Sequence, residues 1–331
     1  MPIICIDNMP TGQYREMGVL LWRGFTIDQV MAQCFGNEDD TCSKGRQMPV
    51  VSLFYFILLN FYRFNTFSIC QHFGSPAHHF HTISSPLATQ IPQAAGVGYA
   101  LKRDPARRDK NIAVVIFGEG AASEGDFHAG MLLASTIPSP TLFIARNNGF
   151  AISTPSTEQY YGDGIAARGP GYGIDTVRVD GNDVLAVLSA VREAKKRCLE
   201  SGRGVLLEAM SYRWVSICIL SCYHASLIVN CYYFCSVGHH STSDDSYAYR
   251  ARAEVEDRKR IDNPISRFRL FLESQGWWDE EQEEALKAKL RNDVMEAFKK
   301  AEAKKRNNLG ELFTDIYAGE EPWNIVRSFV I

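Results

Sequence analysis

Two short polar stretches in the middle of the chain combine residue types that can hold a metal and a phosphate. Gly118-Glu119-Gly120 sets a carboxylate between two glycines, and Asn147-Asn148 supplies amide oxygens about thirty residues later, with Arg146 immediately before them. Carboxylate and amide oxygens are hard donors that suit Mg²⁺, an ion that commonly keeps water and phosphate among its ligands. A diphosphate needs its charge neutralised by a metal and by arginine. These residues can do both, provided they meet in space.

Whether they meet depends on the elements that carry them. Residues 112–117 are a short apolar run rich in Val and Ile, stopped by Gly118, and read as a buried parallel strand. Residues 124–135 read as a helix. Residues 141–145 form the next buried strand, closed by Arg146, Asn147, Asn148 and Gly149, so the unit is β-α-β. In an open parallel sheet, ligands bind just beyond the carboxyl ends of the strands, so Glu119 and Asn148 are expected to converge from adjacent loops. Further strands are expected at 176–179 and 205–210, with a helix from 183 to about 200 between them. Residues 89–102 suit a helix packed closely on the sheet, and 14–34 a helical pair. The charged segment 280–304 reads as a helix with one apolar stripe, a surface element or a subunit contact. The expected fold class is α/β, a doubly wound and mostly parallel sheet with helices on both faces.

Composition removes several alternatives. With 331 residues, 46% of them hydrophobic, the chain can bury a large core, and a net charge of -3 leaves no basic surplus for a nucleic-acid backbone. Nine cysteines make an odd count without the spacing of a disulfide framework, which fits a reducing compartment. Cys218/Cys222 and Cys231/Cys235 are spaced like metal pairs, but the run between them is apolar and aromatic, and no zinc is assigned. Residues 1–10 show neither an Arg-rich amphipathic pattern nor a charged-then-apolar signal.

Gly-acid-Gly followed by Asn-Asn resembles the thiamin-diphosphate motif, here with Glu119 in place of the commoner Asp. The surrounding runs narrow the family. Gln13-Tyr14-Arg15-Glu16, SSPLATQIPQA from Ser84, GEGAASEGD from Gly118, RNNGFAIST from Arg146, RGPGYGI from Arg168, RVDGNDV from Arg178 and GHHSTSDDS from Gly238 follow one another as in the branched-chain 2-oxo acid dehydrogenase alpha subunits. The resemblance implies the thiamin-diphosphate-binding fold and a mitochondrial matrix enzyme. It also implies decarboxylation of branched-chain 2-oxo acids, with transfer of the acyl group to a lipoyl domain of a partner acyltransferase. The family works as a heterotetramer of two alpha and two beta chains, regulated by a kinase and a phosphatase. The pyruvate dehydrogenase alpha subunit is the rival within this chemistry. Its loops typically read Glu-Asn-Asn-Arg-Tyr-Gly and Gly-His-Ser-Met-Ser-Asp, against Arg146-Asn147-Asn148-Gly149 and Gly238-His239-His240-Ser241 here.

Carried over position by position, the resemblance assigns the cofactor to Tyr14, Arg15, Ser85, Leu87, Gly118, Gly120, Ala121, Arg146 and His240, with His240 as the candidate catalytic proton donor. Mg²⁺ falls to Glu119, Asn148 and Phe150. Phe150 stands where the family has Tyr, but that ligand is a backbone carbonyl. A structural K⁺ falls to Ser84, Pro86, Thr89 and Gln90, all able to offer oxygens. Ser241 matches the inhibitory phosphorylation site, where a dianion beside His240, Asp244 and Asp245 would repel and disorder the loop. The family's second phosphoserine is Ala251 here, which implies single-site control. Other conspicuous residues have plainer readings: His72, His78, His79 and His81 as a solvated loop, His128 as a core or cofactor-facing residue, and Tyr160-Tyr161 and Trp277-Trp278 as packing or interface aromatics.

Two apolar stretches, 51–71 and 214–236, depart from the family pattern. Asn60, Arg63 and Asn65 interrupt the first, which argues against a membrane span. The expected organisation is a helical segment over 1–50, truncated relative to the family, then an insert at 51–71 and the cofactor-binding core at 72–213. A second insert at 214–236 precedes a phosphorylation loop and helical region at 237–331. Val51-Ser52 and Val215-Ser216 can be encoded by splice-donor nucleotides and Gln71 by an acceptor, so both stretches read as translated introns, which makes a product without activity the rival from another class. The mature message is expected to lack both stretches; sequencing a transcript that contains them would contradict this.

Overall fold

In the computed structural model the described residues are 10–11, 16–42, 44, 73–84, 86–212 and 245–312, with isolated positions at 314, 319 and 323. Tyr14, Arg15, Ser85, His240, Ser241, both apolar stretches and the paired cysteines lie outside them.

The elements in chain order are β1 (Pro10–Thr11), α1 (Met17–Trp22), α2 (Ile27–Phe35), α3 (Gln90–Arg103), β2 (Ala113–Gly118), α4 (Glu119–Ala122), α5 (Gly125–Thr136), β3 (Thr141–Asn147), β4 (Phe150–Ala151), β5 (Thr154–Pro155), α6 (Ser156–Gln159), β6 (Asp175–Asp180), α7 (Val184–Ser201), β7 (Val205–Met210), α8 (Arg252–Asp262), α9 (Pro264–Ser274) and α10 (Glu280–Ala303). The main sheet runs β1-β2-β3-β7-β6, and every pairing in it is parallel. The expected α/β class and the parallel sheet hold, with most boundaries displaced by a residue or two, as fraying ends allow.

Period-two alternation puts apolar residues on both faces of the strands. Val115, Phe117, Phe143, Ala145 and Leu206 pack under α3 and α5 through Ile91, Ala94, Ala95, Phe127, Met131 and Ala134. The alternate residues Val114, Leu142, Val205, Leu207 and Ala209 pack against Ala194 and Cys198 of α7. Each large side chain so buried contributes roughly 1.5–3 kcal/mol. Both faces are therefore covered, and the strand ends are the exposed part of the sheet.

Capping fixes the helices. Asp183 accepts from the Leu185 and Ala186 amides at 2.9 and 3.0 Å at the start of α7, and Gly202 closes it in the left-handed region at φ 65°. Asp279 opens α10 with a capping box. The apolar stripe of α10, Val294, Ala297 and Ala301, is spent within the chain, on Met31 of α2. The stripe is therefore the face by which α10 rests on the rest of the chain, as in a surface helix. Among the described residues no helix is long and apolar enough to cross a membrane.

Gly130 lets α5 approach α3. A Cβ there would lie 2.7 Å from Ile91 Cγ2 and 3.0 Å from the Ile91 carbonyl carbon and Pro92 nitrogen. Alanine gains about 1 kcal/mol in helix propensity, whereas overpacking against backbone costs about 1–3 kcal/mol. Gly130→Ala is expected to lower stability on urea unfolding; a stabilised variant would show that α5 and α3 have room to spare.

Candidate functional site

The β2–β3 register sets Gly118 beside Arg146. One residue further along each chain, the site begins. Glu119 opens α4 and is almost wholly buried, at 1% exposure. Its Oε2 accepts the Asn148 backbone N–H at 3.2 Å, so the carboxylate and the asparagine meet as expected. Asn148 Oδ1 accepts the Phe150 N–H at 3.2 Å, which curls the chain back so that Asn148 and Phe150 share one turn. The turn continues into the small β4–β5 hairpin, and its Ala151 lies where a Cβ on Gly120 would come within 3.0 Å. The glycine at 120 thus lets the two arms close together.

Arg146, half-buried, faces the buried Glu16 carboxylate at 3.5 Å. That contact draws the end of the Gln13–Glu16 stretch to the end of β3. Leu87 is 50% exposed despite being apolar, on the loop before α3. In the same loop the Thr89 hydroxyl donates to the Pro86 carbonyl at 3.4 Å, and Ala88, fully buried, holds a left-handed φ of 64°. Hard oxygen donors at two neighbouring strand ends, with an arginine alongside, would suit a hard divalent cation and an anionic group.

Several side chains take roles that the sequence did not assign. Glu208 in β7 is fully buried and accepts from Asn147 Nδ2 at 2.8 Å, the Ile165 and Ala166 amides at 2.9 Å each, and Arg178 Nε at 3.0 Å. Its signal was present: an acid within the otherwise apolar run at 205–210, with Arg178 as its register partner on β6. Arg168 donates to the Ala122 carbonyl at the end of α4 and stacks over Tyr160, 4.6 Å from the ring centroid. Arg250, also buried, stacks over both Phe150 and Tyr212, at 5.0 and 4.5 Å.

His128 is neither a core residue nor seen against the candidate ligands, and His72 lies outside the described residues. His128 Nδ1 bonds the Tyr172 hydroxyl at 2.6 Å on an exposed flank of α5. His78 and His81 each engage a neighbour, Ser75 Oγ at 2.7 Å and the Thr82 carbonyl at 2.9 Å, and no cluster of three metal-ligating side chains occurs among the described residues. Tyr161 is wholly exposed, and Trp277 meets Phe271 edge-on. Burial pushes the Cys198 thiol up to about 12, which keeps it an inert core residue.

Comparison with known proteins gives this geometry a family. The family model of the dehydrogenase E1 component matches residues 6–216 and 227–309, and the chain belongs to that family. It is 50% identical over 314 residues to the mitochondrial 2-oxoisovalerate dehydrogenase subunit alpha of Homo sapiens, covering 94% of this chain and 60% of that protein. Its namesake in Caenorhabditis elegans is 47% identical over 92% of this chain and 60% of the relative. The alpha 1 subunit of Arabidopsis thaliana is 46% identical over 94% and 56% respectively. The chain therefore spans about 60% of the length of the curated relatives it matches.

Burial pushes the Glu208 carboxyl up, but hydrogen bonds from Asn147, from the Ile165 and Ala166 amides and from Arg178 outweigh it and hold it below the usual carboxylate range. A carboxyl lowered in the folded state stabilises the fold above its unfolded value, and that stability is lost as the pH falls through the folded value. Unfolding free energy is thus expected to drop with acid below about pH 4.3, and Glu208→Gln to flatten that drop while lowering stability at neutral pH. Parallel acid profiles for the two proteins would contradict this.

Proposed function

We propose that this chain is the alpha subunit of a mitochondrial, thiamin-diphosphate-dependent dehydrogenase that decarboxylates branched-chain 2-oxo acids. In this reading it assembles with a beta subunit as two chains of each and passes the acyl group to a lipoyl-bearing acyltransferase. The observation that supports it best is the contact between the buried Glu119 carboxylate and the Asn148 turn, at 3.2 Å across two neighbouring strand ends. The relatives' names and the family membership support the substrate class.

In this reading Glu119, Asn148 and the Phe150 carbonyl hold Mg²⁺, and Arg146 neutralises diphosphate charge with Tyr14, Arg15 and His240. Gly118, Gly120 and Ala121 line the turn that faces the diphosphate. Ser85 and the exposed Leu87 contact the aminopyrimidine, and Ser84, Pro86, Thr89 and Gln90 hold a structural K⁺. Thiamin diphosphate, when bound, supplies the nucleophilic carbon and the electron sink that decarboxylation of a 2-oxo acid requires. His240 moves a proton at the substrate oxygen, since an imidazole can both donate and accept near neutral pH. A kinase acts at Ser241 alone, opposed by a phosphatase, because Ala251 offers no hydroxyl.

With the beta chain added, turnover of 3-methyl-2-oxobutanoate is expected to exceed that of pyruvate, to require Mg²⁺, and to rise when residues 51–71 and 214–236 are deleted. Faster turnover of pyruvate would favour the rival enzyme. Mg²⁺-dependent cofactor binding measured by calorimetry, absent with and without both stretches, would mark a chain without this activity. Ser241→Ala is expected to abolish inactivation by the kinase, and inactivation that persists would place the control elsewhere.

A further inference from the structure

The mechanism leaves unused Glu208, a fully buried carboxylate. Both oxygens of Glu208 are occupied: Oε1 accepts from Asn147 Nδ2 and the Ile165 N–H, and Oε2 from the Ala166 N–H and Arg178 Nε. Two of these contacts lead toward the proposed metal ligands from opposite sides. Asn147 directly precedes Asn148, and its Oδ1 accepts the Gly149 N–H at 3.1 Å, so the side chain held by Glu208 also shapes the turn after β3. From Ala166 the chain runs two residues to Arg168, whose guanidinium donates to the Ala122 carbonyl, the last residue of the short helix that begins with Glu119.

We infer that Glu208 is a positioning residue that sets the spacing between the two metal-holding arms, Glu119 on α4 and Asn148 after β3, through Asn147 on one side and the 165–168 segment on the other. It acts through its neighbours, and the inference rests on the cofactor reading above. A carboxylate suits the position because it only accepts, with room for four donors. Glutamine turns an N–H against at least one of them.

The test uses the whole chain assembled with the beta subunit, titrated with thiamin diphosphate by calorimetry over a series of Mg²⁺ concentrations, alongside thermal unfolding without cofactor. Loss of a residue that orients metal ligands typically costs about 10–100-fold in affinity, and Glu208→Gln is expected to weaken Mg²⁺-dependent binding by that much. The exchange Glu208→Gln/Asn147→Asp restores the contact with donor and acceptor reversed, and is expected to bind more tightly than either single variant. A purely structural role would instead move affinity and unfolding temperature together in all three. Glu208→Gln binding like the unaltered chain, or the double variant binding no better than Glu208→Gln, overturns the inference. Should Glu208→Gln fail to fold, Asn147→Asp decides alone, because it sets carboxylate against carboxylate and leaves the other three contacts in place; unchanged affinity overturns the inference. Absence of Mg²⁺-dependent binding in the unaltered chain would remove the cofactor reading itself, and this inference with it.

Discussion

The parallel register between β2 and β3 is the constraint on which the site depends. Gly118 pairs with Arg146; β2 ends there and Glu119 opens α4, while β3 runs one residue further, to Asn147, before Asn148 turns away. A slip of one residue would exchange the two faces of a strand, moving Phe143 and Ala145 from beneath α3 and α5 to the α7 side. The apolar packing on both faces therefore fixes the height at which Glu119 and Asn148 emerge. Core and site are one specification here, because the residues that lock the register end where the polar residues begin.

The price of this arrangement is polar burial. Glu119 is nearly inaccessible, Glu208 fully so, and Glu16 and Asn147 almost as much. A buried charge without partners costs several kcal/mol, and Glu208 avoids that cost with three N–H donors and a guanidinium. Arg178 then uses its remaining donors on Asp163, with both carboxylate oxygens within 2.9 Å of Nη1. The buried charge is thus connected to the surface by an ion pair, which makes a desolvated acid tolerable in the middle of the sheet.

Much of this was legible in the sequence, for a physical reason. Strands buried on both faces are apolar runs, and 112–117, 141–145 and 205–210 stand out as such. The loops that end the first two carry Gly, Glu and Asn, which break a buried apolar run, so strand ends and candidate ligands were marked together. The partners of Glu208 and the reach of Arg168 were not legible. An acid inside an apolar run has no local sign of its partners, which come from β3, β6 and the 165–166 segment, and the reach of Arg168 to Ala122 spans 46 residues. The α10 stripe was visible as apolar, but what covers it, α2, is separated from it by most of the chain. Local pattern specifies which face is buried, and only tertiary structure specifies against what.

The same distinction bears on the 214–236 stretch. The chain leaves the sheet at Ser211, whose N–H bonds the Asn147 carbonyl at 2.8 Å, and reaches Tyr212, which lies under Arg250 and donates to Glu254 Oε1 at 2.7 Å. It returns at Tyr249 and Arg250, in contact with Phe150. The described residues on either side of 213–244 are thus held together beside the Asn148–Phe150 turn. Lengthening that excursion from 9 to 32 residues costs about 1 kcal/mol of closure entropy, small beside a fold stability of roughly 5–15 kcal/mol. His240 lies on the near side of the return point, nine residues before Tyr249, while the extra stretch precedes it. The extra 23 residues therefore lengthen the approach to His240 from the β7 side alone, and deleting them restores the short excursion that the proposed function calls for.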